Sequence, residues 1–362
     1  MGRRGHPDTV SGVCLLICTG IGLGGFFSQA AGATEVHFSG FATAAAGTTL
    51  DAGTRYQVEP TTQGAYDDEV SFEPESVAGL QVQAVVNPRL RATLQVVAKG
   101  ADDFDAELDW AFISYDLQPN LTFNAGRYRL PLFFYSESID VGYSYYWIRP
   151  PVEVYRIFTA NLEGVNLYHT HFIQELEIST QLWYGTIDTE LDLEPITVEL
   201  DTRRNAGINA TLGWEWFRLR LLYNDVKIDT RINIPTGDPF APVSQQSTAN
   251  VTFTAVSFMA DVGPFMWRSE LTQADDKELD VSRTGYVSLA YQMGEWVPHL
   301  THAREKAREL PEAFDRATNT LGLAWYFDQS VVAKLEYSES ETEYRDRDSE
   351  VELVSVALDM VF

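Results

Sequence analysis

Arginine side chains at alternating positions are the residues of this sequence best placed to do chemistry, and the chemistry they indicate is the steering of ions. Arg218 and Arg220 alternate with Leu219 and Leu221, and Arg91 also stands between apolar neighbours. Because successive side chains of a β-strand point to opposite faces, these arginines would share one face and the apolar residues the other. Cations that line a pore in this way select solutes by charge.

Carboxylates that would oppose these arginines lie in one long polar connection, residues 130–162. A basic wall that faces an acidic loop sets up a transverse field, which low-dielectric walls concentrate. The predicted pore constriction therefore consists of Arg91, Arg218, Arg220 and Arg149 against Glu137, Asp140 and Glu153.

The same pattern of charges has a second interpretation. Alternation would also turn other charged residues inward, namely Arg203, Arg268, Lys334, Glu175, Glu177, Glu270 and Glu336. Inward arginines would then pair with inward glutamates and keep the structure rigid, and the acidic loops would favour cations at the mouth. The direction of ion selectivity stays open at the level of the sequence.

Catalytic and metal-binding patterns give no comparable signal. The sequence contains no GxSxG elbow, Walker loop or HExxH motif. His169 and His171 would share a strand face, which permits metal binding, but only scattered carboxylates accompany them. We expect no catalytic residue, no cofactor and no metal site, although one sequence does not reveal a Ser/His pair formed across strands.

The elements that must position these residues are strands with a period of two. Apolar and polar residues alternate in segments 89–98, 174–184, 216–225, 318–327 and 354–362. About ten such residues cross a bilayer at a tilt. Beyond residue 33 no apolar run approaches the length of a membrane-spanning helix, so a membrane protein of this sequence would cross with strands.

Short and long connections between these segments follow one another in alternation. The tight turns lie at 87–88, 118–120, 170–173, 213–215, 262–264, 293–295 and 327–329. The long connections are 46–77, 99–105, 130–162, 185–202, 228–249, 275–281, 304–317 and 339–349. This pattern predicts an all-β fold, a transmembrane antiparallel β-barrel of about 16 strands. A soluble sandwich or propeller is the alternative, which the alternation of loop length and the lack of a blade repeat disfavour.

The N-terminal residues have the pattern of a secretory signal peptide. Two arginines, Arg3 and Arg4, precede an apolar stretch of residues 13–27, and Ala31-Gly32-Ala33 supplies a small-residue cleavage site. We predict that residues 1–33 are removed and that residues 34–362 form the barrel, a retained anchor helix being the alternative. The two cysteines of the sequence lie in this peptide, so disulfides would not stabilise the mature chain.

The charge balance excludes one class of partner. The formal net charge is −26, which argues against nucleic acid because phosphates would be repelled. Hydrophobic residues make up 45% and aromatic residues 12% of the chain, too many for a disordered acidic protein. We interpret acidic runs such as Asp67-Asp68-Glu69 as solvated loops, with divalent-cation binding as the alternative.

Two stretches carry a resemblance to a known family. The last strand, residues 354–362, alternates apolar residues and ends in Phe362, and it resembles the closing strand of Gram-negative outer-membrane porins. The segment from Gly126-Arg127-Tyr128 to Arg149-Pro150-Pro151 also resembles part of bacterial porin-like proteins. The first stretch is fairly specific for an outer-membrane barrel, but neither determines the solute.

The resemblance implies an inward-folded third loop that narrows the pore, and the connection 130–162 occupies its place. That connection carries the rings of Phe133, Phe134, Tyr135, Tyr143, Tyr145, Tyr146 and Trp147, which a loop in bulk water would not need. Capping of the barrel or packing on a neighbouring subunit is the alternative. The resemblance also implies a homotrimer and recognition of the last strand by the barrel-assembly machinery.

The sequence thus predicts a non-enzymatic porin of the cell outer membrane, surrounded by lipid and lipopolysaccharide, through which ions and small hydrophilic solutes diffuse. A substrate-specific channel for phosphate, sugar or carboxylate is one alternative. An outer-membrane enzyme or structural barrel without channel activity is the other.

Overall fold

The fold is a closed antiparallel β-barrel, seen in a computed structural model that describes residues 35–58, 64–155, 161–193, 196–234, 243–276, 282–307, 313–344 and 348–362. Within these residues sixteen strands form the barrel. They are β1 Glu35–Thr49, β2 Val77–Asn87, β3 Leu90–Lys99, β4 Ala106–Gln118, β5 Leu121–Arg129, β6 Asn161–Ile173, β7 Leu176–Leu193, β8 Ile196–Trp214, β9 Phe217–Ile234, β10 Val243–Val262, β11 Phe265–Asp276, β12 Ser282–Tyr291, β13 Trp296–Ala307, β14 Phe314–Asp328, β15 Val331–Tyr344 and β16 Asp348–Val361. The predicted signal peptide lies outside the described residues. No helix in the described part of the chain is long and apolar enough to cross a membrane.

The barrel closes where β1 pairs with both β2 and β16. Thr43 is the register partner of Val77 on one side and of Asp359 on the other. The backbones of Gly40 and Phe362 exchange two hydrogen bonds of 2.8 and 3.0 Å. Closure pairs both edge strands of the barrel sheet with each other, which removes the edges that another chain could extend, and it confirms the predicted closing strand.

The predicted alternation between the two faces is confirmed. Leu94 on β3 is 51% exposed on the outside, whereas its neighbour Thr93 is buried inside. On β9, Leu221 is 52% exposed and Arg220 is buried. Because the side-chain period is two, successive residues of a strand alternate between the exterior and the interior, and over the segments that carry these residues the exterior is apolar and the interior polar.

Tight turns close seven hairpins, as predicted, with shifts of a few residues. The largest shift concerns the turn predicted at 170–173, which lies at residues 174–175 between β6 and β7. His169 and His171 are therefore ladder residues that pair with Thr180 and Ile178. Gln174 takes the positive φ of 57° that this turn requires.

Four of the long connections were wrong predictions, because most residues of 304–317 and 339–349, like those of the two segments below, lie in strands. Residues 185–202 and 228–249 were expected to be loops, but most of them belong to β7–β10, which are 18 to 20 residues long. Cross-strand ion pairs, such as Arg204 with Asp225, stabilise these extensions. The polar residues there form one face of a sheet, which composition alone did not distinguish from a loop.

Two of the remaining loops fold inward. The first loop, residues 50–76, contains a short hairpin of Tyr56–Gln57 paired with Ala65–Tyr66. Tyr66 is fully buried against Gly47 of β1. The third loop, residues 130–160, is described as far as Tyr155 and contains one helical turn, α1 Val152–Tyr155.

Candidate constriction inside the barrel

The third loop lies inside the barrel, so the predicted inward loop is confirmed. Its aromatic rings form the centre of the main hydrophobic cluster, in which Trp147 is 1% and Phe133 is 2% exposed. The rings of Tyr135 and Trp147 meet edge to face at 5.7 Å, and Phe133 meets Phe253 of β10 at 5.6 Å. Burial of these rings explains why a loop between polar strands carries so many of them.

Charged side chains of the wall bind the backbone of the loop. Glu270 of β11 is fully buried and accepts hydrogen bonds from the Phe134 N–H at 2.7 Å, the Tyr155 hydroxyl at 2.5 Å and the Ser257 hydroxyl at 2.6 Å. On β9, Arg220 donates to the carbonyls of Pro131 and Leu132. These bonds satisfy polar groups that the loop would otherwise bury unpaired.

A second anchor lies across the lumen on β15 and β16. Lys334 donates to the carbonyls of Gly142 and Trp147 and pairs with Asp359 at 2.8 Å. Thr43 of β1 donates its hydroxyl hydrogen to the same Asp359 at 2.6 Å. The loop is thus attached to both sides of the barrel, which makes it a fixed element of the lumen.

Asp140, one of the predicted constriction carboxylates, belongs to the base of the loop. It pairs with Lys99 at 3.3 Å and with Arg129 at 2.5 Å, and Arg129 also contacts Asp109 at 3.1 Å. Burial opposes the ionisation of Asp140, but the two cations outweigh it and hold the pKa of this carboxyl below its usual range.

Arg149 and Glu153 lie at the far end of the third loop, where it meets the first loop. Arg149 pairs with Glu75 at 2.7 Å and covers the ring of Tyr56. Glu153 is buried and accepts a hydrogen bond from the hydroxyl of Thr318. Arg149 thus joins the third loop to the first, whereas Glu153 attaches the third loop to the wall at β14.

The other predicted arginines lie apart from the loop carboxylates. Arg91 pairs with Asp116 of β4 at 2.6 Å, near the tight turns. Arg218 is exposed near the same end of the barrel and has no ion pair within 4 Å among the described residues. Arg220 binds loop carbonyls, as described above. The structure therefore does not bring the predicted arginines and the predicted carboxylates together as one cluster.

Glu137 is the exposed carboxylate of the third loop. It lies in the helical turn Ser136–Ser138 and accepts a 3.4 Å hydrogen bond from Gln181 of β7. No ion pair involving Glu137 is found among the described residues. Its negative charge is therefore available to a solute in the lumen.

The wall near Glu137 carries hydroxyl and amide groups. The inward side chains of β3–β8 include Thr93, Gln95, Ser114, Asn166, Ser179, Gln181 and Asn209. Neighbouring amides bind one another: Asn209 donates to Gln181 at 2.9 Å, and Gln95 donates to Gln81 at 3.2 Å. Glu137 thus lies beside the amide of Gln181, on a part of the wall rich in hydroxyl and amide groups.

The sequence predicted correctly that several of these charged side chains point inward, but it did not predict which groups they bind. Glu270, Lys334 and Glu336 were predicted to point inward, but nothing in the alternation indicated that they would bind the loop. The roles of Glu75 and Asp359 were missed altogether. The inward position of Asp359 between Leu358 and Met360 is a signal that would have found it.

Carboxylates outside the lumen form one cluster that a cation would fit. The oxygens of Glu339, Glu341 and Glu350 lie within 4.8 Å of one another at the long-loop end of β15 and β16. His169 and His171 stack at 6.3 Å, and a 3.1 Å hydrogen bond joins His169 to Asn120. Neither group is buried, and exposed acidic groups of this kind are common in solvated surfaces.

Solved structures of other proteins match the architecture of this chain, although sequence comparisons find no relative. No family model and no curated protein matches the chain. Among solved structures, the outer membrane channel DcaP of Acinetobacter baumannii matches with a TM-score of 0.60 and 9% identity, over 92% of this chain and 99% of that one. The anion-selective porin from Comamonas acidovorans gives 0.59 and 12%, over 91% and 100%. The loop L8 deletion mutant of Vibrio cholerae OmpT, an outer membrane protein, gives 0.58 and 13%, over 91% and 99%.

This chain has the porin-like outer-membrane barrel fold. The exterior of the porin-like barrel agrees with that environment, since large apolar side chains such as Leu271, Leu300 and Leu321 are 58 to 66% exposed on its outer face. Trp214, Trp267, Trp296 and Trp325 lie near the tight-turn end of this face, as in the aromatic girdles of such barrels.

Proposed function

We propose that this porin-like barrel is a passive channel of the outer membrane that conducts ions and small hydrophilic solutes. The observation that carries the proposal is the arrangement of the third loop, which binds the wall through buried charges and leaves Glu137 exposed beside the amide of Gln181. Polar, hydrogen-bonding walls hold water, and a fixed loop limits the size of what passes.

The channel prefers cations. Two of the arginines that would attract anions are neutralised, since Arg91 pairs with Asp116 and Arg149 pairs with Glu75. Arg220 is buried against two loop carbonyls, and the exposed Arg218 lies near the tight turns, away from the loop. Glu137 then contributes the local charge, and the chain as a whole is strongly acidic. A carboxylate in a narrow polar passage attracts cations because the low-dielectric walls focus its field.

The same proposal covers catalysis, oligomeric state and biogenesis. The channel is not an enzyme, because the buried carboxylates of the wall, Glu270 and Glu336, are occupied with structural hydrogen bonds to the loop. A homotrimer is supported by the fold of the Vibrio cholerae OmpT trimer form, which matches with a TM-score of 0.56. Residues 1–33 direct secretion, the barrel-assembly machinery inserts the mature chain, and lipid and lipopolysaccharide surround it.

Planar-bilayer recording of the refolded mature chain tests the proposal. Stable conductance steps in KCl are expected, with a reversal potential of cation-selective sign under a salt gradient. A folded and inserted barrel without conductance would contradict the channel function. A reversal potential of anion-selective sign would contradict only the assignment of Glu137.

A further inference from the structure

Partway along β7–β10, toward the long-loop end, the outer face of the wall changes from apolar to polar. Up to Tyr184 on β7 and Tyr223 on β9, large outward side chains are apolar and exposed. Two residues further toward the long-loop end, the outward positions carry Thr186 and Asp225, and the polar character continues to the strand ends. The outer polar residues beyond this level include Asp188, Glu190, Glu199, Asp201, Arg204, Lys227, Asp229 and Arg231.

Ion pairs on this outer face show that it lies in water. Arg204 pairs with Asp225, and Arg231 pairs with Glu199, with all four side chains at least one-third exposed. Exposed charges of this density belong outside the hydrocarbon layer. Since about 9–11 residues suffice for a tilted strand to cross a bilayer, strands of 18 to 20 residues extend well beyond it.

The inner face of the same extension carries a group of aliphatic side chains, interspersed with threonines such as Thr202 and Thr230. Val226 and Ile187 are buried there, and Leu200, Ile228 and Ile232 are half-buried. They are neighbours by register, with Ile187 and Ile228 both paired to Thr202, and Val198 paired to Ile232. A sheet with a solvated polar outer face and aliphatic side chains on its inner face has the pattern of a soluble antiparallel sheet, whose apolar face binds a partner.

This apolar face continues directly into the proposed passage. Ile187 belongs to the same hydrophobic cluster as Leu132 and Phe133 of the third loop and Phe253 of β10. A solute that enters from the long-loop side would therefore meet the apolar wall before it reaches the loop. The strong negative charge of the chain and the exposed Glu137 would favour a solute that also carries a positive charge.

We propose that the inner face of the β7–β10 extension is a binding surface for small organic cations that carry a hydrocarbon or aromatic part. The inference rests on the proposed channel function, for which it supplies a solute class. The apolar part lies against Leu200, Ile228 and Ile232, and the ammonium group then moves toward Glu137.

Block of the KCl current by ammonium ions of different apolar size tests the proposal. Phenethylammonium, added on the long-loop side, is expected to block at about a tenfold lower concentration than ethylammonium, because its ring adds apolar area. The anion 3-phenylpropionate, which has the same ring, is expected to block less than phenethylammonium.

A triple variant and a matched control locate the site. Leu200→Thr, Ile228→Thr and Ile232→Thr together should reduce the difference between the two ammonium ions to less than about threefold. Val85→Thr, an inward residue of β2 on another part of the wall and the register partner of Arg91, should leave the difference unchanged.

The possible outcomes separate this inference from the channel function. A conducting barrel that both ammonium ions block equally, or whose triple variant behaves as the parent, would overturn the inference and leave the channel function standing. If the barrel does not conduct, calorimetric titration of phenethylammonium into the detergent-solubilised parent and triple variant decides the question. Equal binding or no binding to both would then overturn the inference as well.

Discussion

At the scale of single residues, the carboxylates of the third loop differ in whether they are bound to other side chains or exposed to the lumen. Asp140 and Glu153 are bound to wall residues, whereas Glu137 is exposed to the lumen. A unit charge is worth about 1 kcal/mol at 4 Å in water, which corresponds to about a fivefold change in local ion concentration. Of the three loop carboxylates, only Glu137 therefore contributes an unpaired charge to the passage.

The change Glu137→Gln should lower the cation-to-anion permeability ratio by about fivefold, because it removes this charge and keeps the shape of the side chain. The reversal potential in a KCl gradient measures the ratio. Glu163→Gln is the control, since Glu163 is exposed on the outer face of β6 and pairs with Arg127. An equal loss of selectivity in both variants would show that the overall charge, and not Glu137, determines the preference.

Lys334 and Asp359 form a buried pair whose two members depend on each other. The change Lys334→Met leaves a buried carboxylate without its cation and should destabilise the barrel by about 3–5 kcal/mol. Adding Asp359→Asn removes the uncompensated charge and should restore part of that loss. Denaturant unfolding of the refolded single and double variants measures both effects, and equal stability of the two would argue against the pairing.

The ion pairs of Asp140 give the base of the loop a defined pH range. A carboxyl whose pKa is lowered in the folded state stabilises that state above its unfolded pKa, near 3.8, and loses this contribution as the pH falls through the folded pKa. The melting temperature of Asp140→Asn should therefore lie below that of the parent at neutral pH. The difference should persist down to about pH 4 and disappear only at lower pH; a difference that already vanishes near pH 6 would contradict the lowered pKa.

At the scale of elements, the third loop has one position where no side chain fits. A Cβ on Gly142 would lie 2.1 Å from Oδ1 of Asp359. Gly142→Ala should therefore displace the loop from β16, lower the melting temperature and raise the conductance. Gly213→Ala is the matched control, because its Cβ would lie 3.5 Å from the nearest side-chain atom, an ordinary contact. If both variants match the parent, this contact does not hold the loop.

At the scale of the whole molecule, the exterior determines how the barrel sits in lipid. Five of the eight tryptophans are exposed, all near the tight-turn end: Trp214, Trp216, Trp267, Trp296 and Trp325. Trp147 and Trp183 are buried inside. The tryptophans that contact lipid, and whose fluorescence lipid-bound quenchers can reduce, therefore lie in one girdle of the barrel.

Lipids brominated at different depths should quench this fluorescence most strongly near the headgroups of one leaflet, because aromatic girdles lie at the interface. The interior tryptophans should account for a residual emission that no brominated lipid quenches. Strongest quenching by bromine near the bilayer centre would show that the barrel sits at a different depth.

The sequence by itself determined the faces of the strands and their approximate number. A period of two decides whether a residue points in or out, and that rule held for residues such as Thr93 on β3 and Asp359 on β16. It failed at the β-bulge of β8, where Arg203, predicted to point inward, is exposed and pairs with Asp229 of the outer face. The aromatic residues of the third loop also indicated that it folds inward, because rings such as Trp147 favour a buried environment. The extensions of β7–β10 were missed because outer polar residues beyond the membrane look like loop residues in one sequence.

Only the tertiary structure decided which charges meet. Asp140 reaches Lys99 and Arg129 from different elements, and Arg220 meets carbonyl groups that alternation does not describe. The path of the third loop across the lumen brings these groups together, and that path depends on packing between residues far apart in the chain. Local periodicity gives the direction of a side chain, but its partner is a property of the closed barrel with the loop inside it.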